Sequence, residues 1–142
     1  MKALFKGCLA GVLWVFSSGA WAAPECADFL RDAADPPQVL EFVGCESAPQ
    51  YQGSPLTATY RVEGRHAYEM ERYLQRLSGE ASYLKFVCCG WETTGFTYYR
   101  DKTTGRRYQL GMGSEETPYS RREQWGKIGY FYVRVVLYTE EV

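Results

Sequence analysis

The sequence predicts an α+β fold: a single antiparallel sheet of about five to six strands packed on one long helix, with a short N-terminal helix and two disulfides. Three observations predict it. Stretches with a period of two dominate the second half of the chain, one central stretch has the period of a helix, and four of the five cysteines lie beyond an apolar leader. Composition fits one folded domain, because 46% of the 142 residues are hydrophobic, 16% are aromatic and the formal net charge is −1. These values argue against intrinsic disorder, and the length argues against a multidomain enzyme.

The leader comes first. Lys2 and Lys6 form a positive start, Cys8 to Phe16 is an apolar run, and Ala20-Trp21-Ala22 places small residues at −3 and −1 of a cleavage site. Residues 1–22 therefore read as a secretory signal peptide, with 23–142 as a single α+β domain located in the periplasm. The apolar run is too short to cross a membrane, and no later stretch approaches about 18 consecutive apolar residues. Cys8 precedes the apolar run, the reverse of what lipid attachment requires. Without Lys2 and Lys6, acids exceed bases by about three. A weakly acidic chain with no basic run argues against nucleic acid and against anionic lipid as partners.

Glu25 to Ala34 reads as the short first helix, with Phe29 and Leu30 on its apolar side and Asp35-Pro36-Pro37 ending it. Val39 to Cys45 is an expected strand, and Pro49, Gly53 and Pro55 mark a loop. Leu56, Ala58, Tyr60 and Val62 alternate with polar residues, the pattern of a half-buried strand. Ala67, Met70, Leu74 and Leu77 then switch to helical spacing, predicting a helix over about Arg65 to Leu77 that Ser78-Gly79 stops. Tyr83 to Trp91, Phe96 to Arg100 and Arg106 to Met112 all read as β. Asp101 to Gly105 is expected as a hairpin turn with Gly105 in the left-handed region. The last strand, Tyr130 to Thr139, puts Phe131, Val133, Val135 and Leu137 on one face.

Four cysteines remain after the leader: Cys26, Cys45, Cys88 and Cys89. An even number in an oxidising compartment predicts two disulfides. Adjacent residues of a strand point to opposite faces, so Cys88 and Cys89 are expected to reach separate partners, one Cys26 and the other Cys45. The alternative pairs Cys88 with Cys89 and Cys26 with Cys45. A redox site at Cys88-Cys89 lacks the two intervening residues of dithiol oxidoreductases.

No constellation carries catalysis. His66 is the only histidine, without the companions of a hydrolytic triad, and one histidine does not make a zinc site. No cofactor is expected, because Gly111-Met112-Gly113 lacks the lysine and following helix of a phosphate loop. Glu92, the Glu115-Glu116 pair and Glu41 are the carboxylates on which a small hydrolase would rest. The twelve tyrosines are more suggestive, since tyrosine and arginine are the residues interfaces favour. Tyr130, Tyr132, Arg134 and Tyr138 share one face of the last strand, and with Trp91 and Glu92 they form the candidate binding set. Cross-strand packing and core filling are the structural alternatives for the tyrosines and for Trp91.

The run Lys85-Phe86-Val87-Cys88-Cys89-Gly90-Trp91-Glu92 resembles the hallmark of a family of small uncharacterised exported proteins of Gram-negative bacteria, a domain of unknown function. The resemblance extends to Tyr60-x-Val62-x-Gly64, to Met112-x-Ser114-Glu115-Glu116-Thr117, and to Trp125 with Lys127-Ile128 and Tyr130-Phe131-Tyr132-Val133. It implies no catalytic residues, and immunity partners of antibacterial toxins are among the roles it implies. The expected function is a non-enzymatic protein-binding module of inhibitor or toxin-immunity type, partnered by another periplasmic or secreted protein. A small carboxylate hydrolase and an envelope structural protein without a dedicated ligand are the alternatives.

Overall fold

Alternation along Leu56, Ala58, Tyr60 and Val62 becomes alternation in burial, each of the four being at most 5% exposed while their neighbours are half-buried or exposed. This strand lies second from one edge of the sheet in a computed structural model that describes residues 22–80 and 84–141. The signal-peptide reading of residues 1–22 falls outside the described residues except for Ala22. The elements run α1 (Phe29–Ala33), β1 (Glu41–Ser47), β2 (Pro55–Glu63), α2 (Ala67–Ser78), β3 (Leu84–Val87), β4 (Gly90–Thr93), β5 (Thr97–Arg100), β6 (Arg107–Ser114) and β7 (Tyr130–Tyr138). Short 3-10 turns at Gly64–His66 and Arg122–Lys127 precede α2 and β7. One sheet contains all seven strands in the order β1-β2-β7-β6-β4-β3, with β5 also paired to β6, and every pairing is antiparallel.

This architecture corrects the expected α+β class. Among the described residues the molecule is mostly sheet, with seven strands rather than five to six. Its principal helix is a 12-residue element entered through a three-residue 3-10 turn, not a long helix around which the sheet is organised. The extra strand arises where one strand was expected over Tyr83 to Trp91. Cys88 takes a positive φ of 55° and the Cys89 amide donates to the Val87 carbonyl at 2.6 Å. That tight turn divides the run into the hairpin β3–β4.

The same turn corrects the expected disulfides. Cys26 pairs with Cys45, and Cys88 pairs with Cys89. β1 and β3 are opposite edges of the sheet, so its whole width separates Cys45 from the Cys88-Cys89 turn. Residues in a turn do not alternate as strand residues do, and the inference of two distant partners fails for that reason. Tryptic digestion without reduction gives a direct check. Cys88 and Cys89 belong in one peptide, Phe86 to Arg100, about 2 Da lighter than its dithiol mass and linked to no other chain. A linkage between that peptide and one holding Cys26 or Cys45 would contradict this pairing.

One face of the sheet holds the core. Ala67, Met70, Tyr73 and Leu74 of α2 pack there with Leu110, Met112, Phe131, Val133, Val135 and Leu137. Gly79, with φ 71°, ends α2 in the left-handed region. Three tyrosine hydroxyls fasten the N-terminal segment to this face. Tyr60 accepts from the Leu30 amide at 3.0 Å and donates to the Asp28 carboxylate at 2.8 Å. Tyr73 donates to the Ala34 carbonyl and Tyr99 to the Ala33 carbonyl, both at 2.9 Å. Burial above all, with the Asp28 carboxylate beside it, raises the Tyr60 phenol well beyond the ordinary tyrosine range, so it stays a donor. Part of the tyrosine richness is thus structural. No described helix is long and apolar enough to cross a membrane.

Candidate functional site

The opposite face of the sheet has no described helix over it. β7 presents Tyr130, Tyr132, Arg134, Val136 and Tyr138 outward, while Phe131, Val133, Val135 and Leu137 are buried on the core side. β6 presents Arg107, Gln109, Gly111 and Gly113 on the same outer face, between inward Tyr108, Leu110 and Met112.

The two glycines make a groove. Gly111 stands opposite Arg134, and Gly113 stands between Tyr132 of β7 and Glu92 of β4. Without side chains there, the floor drops between Tyr132, Arg134 and Val136 on one side and Glu92, Thr93 and Phe96 on the other. They enclose about 560 Å³. The floor also lies close to β4, because a Cβ on Gly113 would meet the Trp91 carbonyl oxygen at 3.0 Å. β4 and β6 share only the Glu92–Gly113 register pair, and side chains complete the joint. Ser114 Oγ accepts from the Trp91 amide at 2.9 Å and Thr93 Oγ1 from the Met112 amide at 3.3 Å. Where β4 diverges, β5 takes over as the neighbour of β6, and Phe96 stands 70% exposed at the changeover.

Gln109 also lines a second hollow of about 870 Å³, bordered by Tyr98, Arg100, Arg107 and Tyr138 and by Glu140 and Glu141 beyond β7, so the depression continues along β6. The Arg107 guanidinium lies 3.7 Å from the centroid of the Tyr98 ring. The β5–β6 turn holds this end in place. Gly105, at φ 72°, donates its amide to the Asp101 carbonyl, and the Asp101 carboxylate accepts from the Thr104 hydroxyl at 2.6 Å. The Thr104 hydroxyl and the Thr103 and Thr104 amides hold the Asp101 carboxyl below its usual value.

The β1–β2 half of the outer face is different. Arg61 forks onto Glu41 at 2.8 and 3.0 Å and lies 4.8 Å from the Tyr130 ring. Hydrogen bonding to Arg61 lowers the Glu41 carboxyl and the Arg61 guanidinium is correspondingly raised. These charges already have partners.

Of the residues named from the sequence, Tyr132, Arg134 and Glu92 meet across the glycine floor. Tyr138 stands at the far end of the depression, and Tyr130 sits with Arg61 outside it. Trp91 borders the groove but is buried in the core. Its indole N–H donates to the Tyr119 carbonyl at 2.8 Å, and its ring meets Trp125 edge-on at 5.2 Å. Cys88 and Cys89 are exposed at the tip of the β3–β4 hairpin. The hydrolase carboxylates are not brought together. Glu92 lines the groove, whereas Glu115 turns to accept the Tyr130 amide at 3.2 Å, and Glu41 is committed to Arg61. His66 stands at the entry to α2, 3.8 Å from Glu69. A basin of about 720 Å³ over α2 is bordered by Tyr68, Arg72, Arg76 and Arg122, but Arg122 is engaged by Glu71 and Arg72 by Tyr68.

Gly113, Gln109, Val136 and Phe96 complete the groove and were not candidates from sequence. The available signal was Gly111-x-Gly113 inside a strand pattern, since glycines alternating on one face of a strand mark a place for close approach.

No curated protein and no solved structure matches the chain. Residues 17–91, more than half of it, match the family described as a domain of unknown function, DUF4952, and the protein belongs to that family.

Proposed function

We propose that the protein is an exported, disulfide-braced, non-enzymatic protein-binding module of inhibitor or toxin-immunity type, which meets its partner with the outer face of β6 and β7. One observation carries the reading. Tyr132 and Arg134 stand side by side over a glycine-floored groove on an uncovered sheet face, and Arg134 has no hydrogen-bond or ion-pair partner among the described residues. Tyrosine offers a large apolar surface at low entropic cost, and an arginine without a partner keeps its donors for another molecule. The reading of residues 1–22 as a signal peptide and the resemblance of the Cys-Cys-Gly-Trp-Glu motif to exported proteins of Gram-negative bacteria support the compartment.

The test is quantitative capture of partners from periplasmic and secreted fractions by the oxidised protein, beside a variant carrying Tyr132→Ala and Arg134→Ala. A saturable, stoichiometric protein partner is expected, held at least about tenfold more weakly by the variant. Both side chains project from the face opposite the core, so the melting temperature should move by only about 2 °C. Equal capture by both proteins would remove this face from the reading. A partner that never saturates would favour an envelope structural role.

A further inference from the structure

β5, β6 and β7 are adjacent strands that contain no aspartate or glutamate at any position. On the outer face they carry Arg100, Arg107 and Arg134. Arg100 and Arg107 are direct cross-strand partners, an arrangement of like charges that disfavours the free sheet. Neither Arg107 nor Arg134 has a carboxylate partner among the described residues, and Arg100 bonds only the Gly105 carbonyl. On β1 and β2 of the same face, by contrast, the Arg61 charge is matched by Glu41. Within the strands positive charge is therefore segregated onto one half of the sheet, while Glu140 and Glu141, just beyond β7, border the Tyr138 end of the hollow without an ion pair to these arginines among the described residues.

We propose that this half of the face receives an extended acidic segment of the partner protein, laid along β6 with its carboxylates on Arg134, Arg107 and Arg100. The proposal rests on the protein-binding reading above and names the chemistry of the partner. The length of the depression suits a polypeptide. From Gly113, beside Glu92, to Arg107 is six residues of strand, about 20 Å, and an extended chain advances at the same 3.3–3.4 Å per residue. Tyr132, Tyr98 and Tyr138 supply apolar faces between the guanidinium groups, and the glycine floor gives the guest backbone room. Glu92 at one end and Glu140 and Glu141 at the other favour basic residues flanking the acidic run of the guest. The acidity of the whole molecule opposes long polyanions such as nucleic acids, whose many charges would meet it at long range.

The experiment titrates the oxidised protein with an oligoglutamate of about ten residues, an oligolysine of equal length, and heparin as a sulfated polysaccharide, following arginine side-chain and backbone amide NMR signals. Oligoglutamate is expected to shift Arg107, Arg134, Gln109 and Gly111. Its affinity should fall at least about tenfold when salt is raised from about 20 to 200 mM, and again on Arg107→Ala with Arg134→Ala. Arg134→Ala alone should show the loss in part. Arg65→Ala, which removes a cation already paired with Glu63, should leave the affinity unchanged.

Oligoglutamate binding no better than oligolysine, shifts centred on Arg72 and Arg76 instead, or full affinity in the double arginine variant would each overturn the proposal. So would heparin occupying the same arginines more than about tenfold more tightly, which would make the guest a sulfated glycan. Its failure is separable from that of the wider reading. A captured partner lost on Tyr132→Ala but indifferent to Arg107→Ala would sink the acidic segment and leave the binding module standing.

Discussion

Gly64→Ala is expected to lower the melting temperature by at least about 12 °C, corresponding to roughly 3 kcal/mol or more, or to prevent folding. Its backbone does not require the left-handed region, so the requirement is space alone. A Cβ at this position would lie 2.1 Å from the Trp125 carbonyl oxygen and 2.2 Å from that of Ile128. Both are backbone atoms and cannot rotate away. The Gly64 amide also donates to the Gly129 carbonyl at 3.2 Å, so the entry to α2 is seated directly on the chain that leads into β7. Opening a gap would loosen Trp125, whose ring packs on Trp91 and Phe131. Gly44→Ala is the control. It has nothing within 4 Å of the added carbon and no positive φ, and should shift melting by only about 2 °C. A Gly64→Ala protein melting within about 2 °C of the unaltered one would show that the two segments do not approach as described.

The contrast between these glycines shows what a sequence can and cannot reveal. Local periodicity exposes any element whose fate depends on its own face: β2 and β7 alternate in the chain as they alternate in burial, and the α2 stripe is buried. The strand count escapes the sequence because a positive φ at Cys88 breaks the run, and cysteine carries no propensity for that region. The disulfides were misread from the same residue, since pairing depends on which strands become edges. Tyr132 and Arg134 were legible as sharing a face. The groove between them and Glu92 was not, because it needs β6 to lie between β7 and β4. Gly64 is invisible for a similar reason: its neighbours are some sixty residues away in the chain.

Arg122 makes the same point with charge, and Arg122→Ala is expected to cost about 3 kcal/mol, toward the lower end of what breaking a buried pair usually costs. Its guanidinium forks onto Glu71 at 2.8 and 2.9 Å and lies 4.7 Å from the Trp125 ring centroid. Glu71 is 4% exposed and also accepts the Leu84 amide at 2.8 Å, while Arg122 donates to the Leu84 carbonyl at 3.2 Å. The pair thus closes the outward backbone groups of Leu84 on edge strand β3, a position at which another chain would otherwise add. Without Arg122 the Glu71 carboxylate keeps one backbone partner in a site that water reaches poorly. Glu71→Ala should cost less, because the Arg122 side chain is 38% exposed and can turn to solvent. Replacing both at once, by Glu71→Leu with Arg122→Met, should recover most of the loss, since an apolar pair is not penalised for desolvation. Thermal unfolding of the three variants checks the order. Arg122→Ala melting no lower than Glu71→Ala would show that the buried carboxylate is not what makes the pair costly to break. β3 pairs with β4, and β4 carries Glu92 to the groove on the opposite face. The apolar double variant should therefore keep its binding while Arg122→Ala loses part of it, because what the ion pair gives the groove is a fixed wall and not a charge.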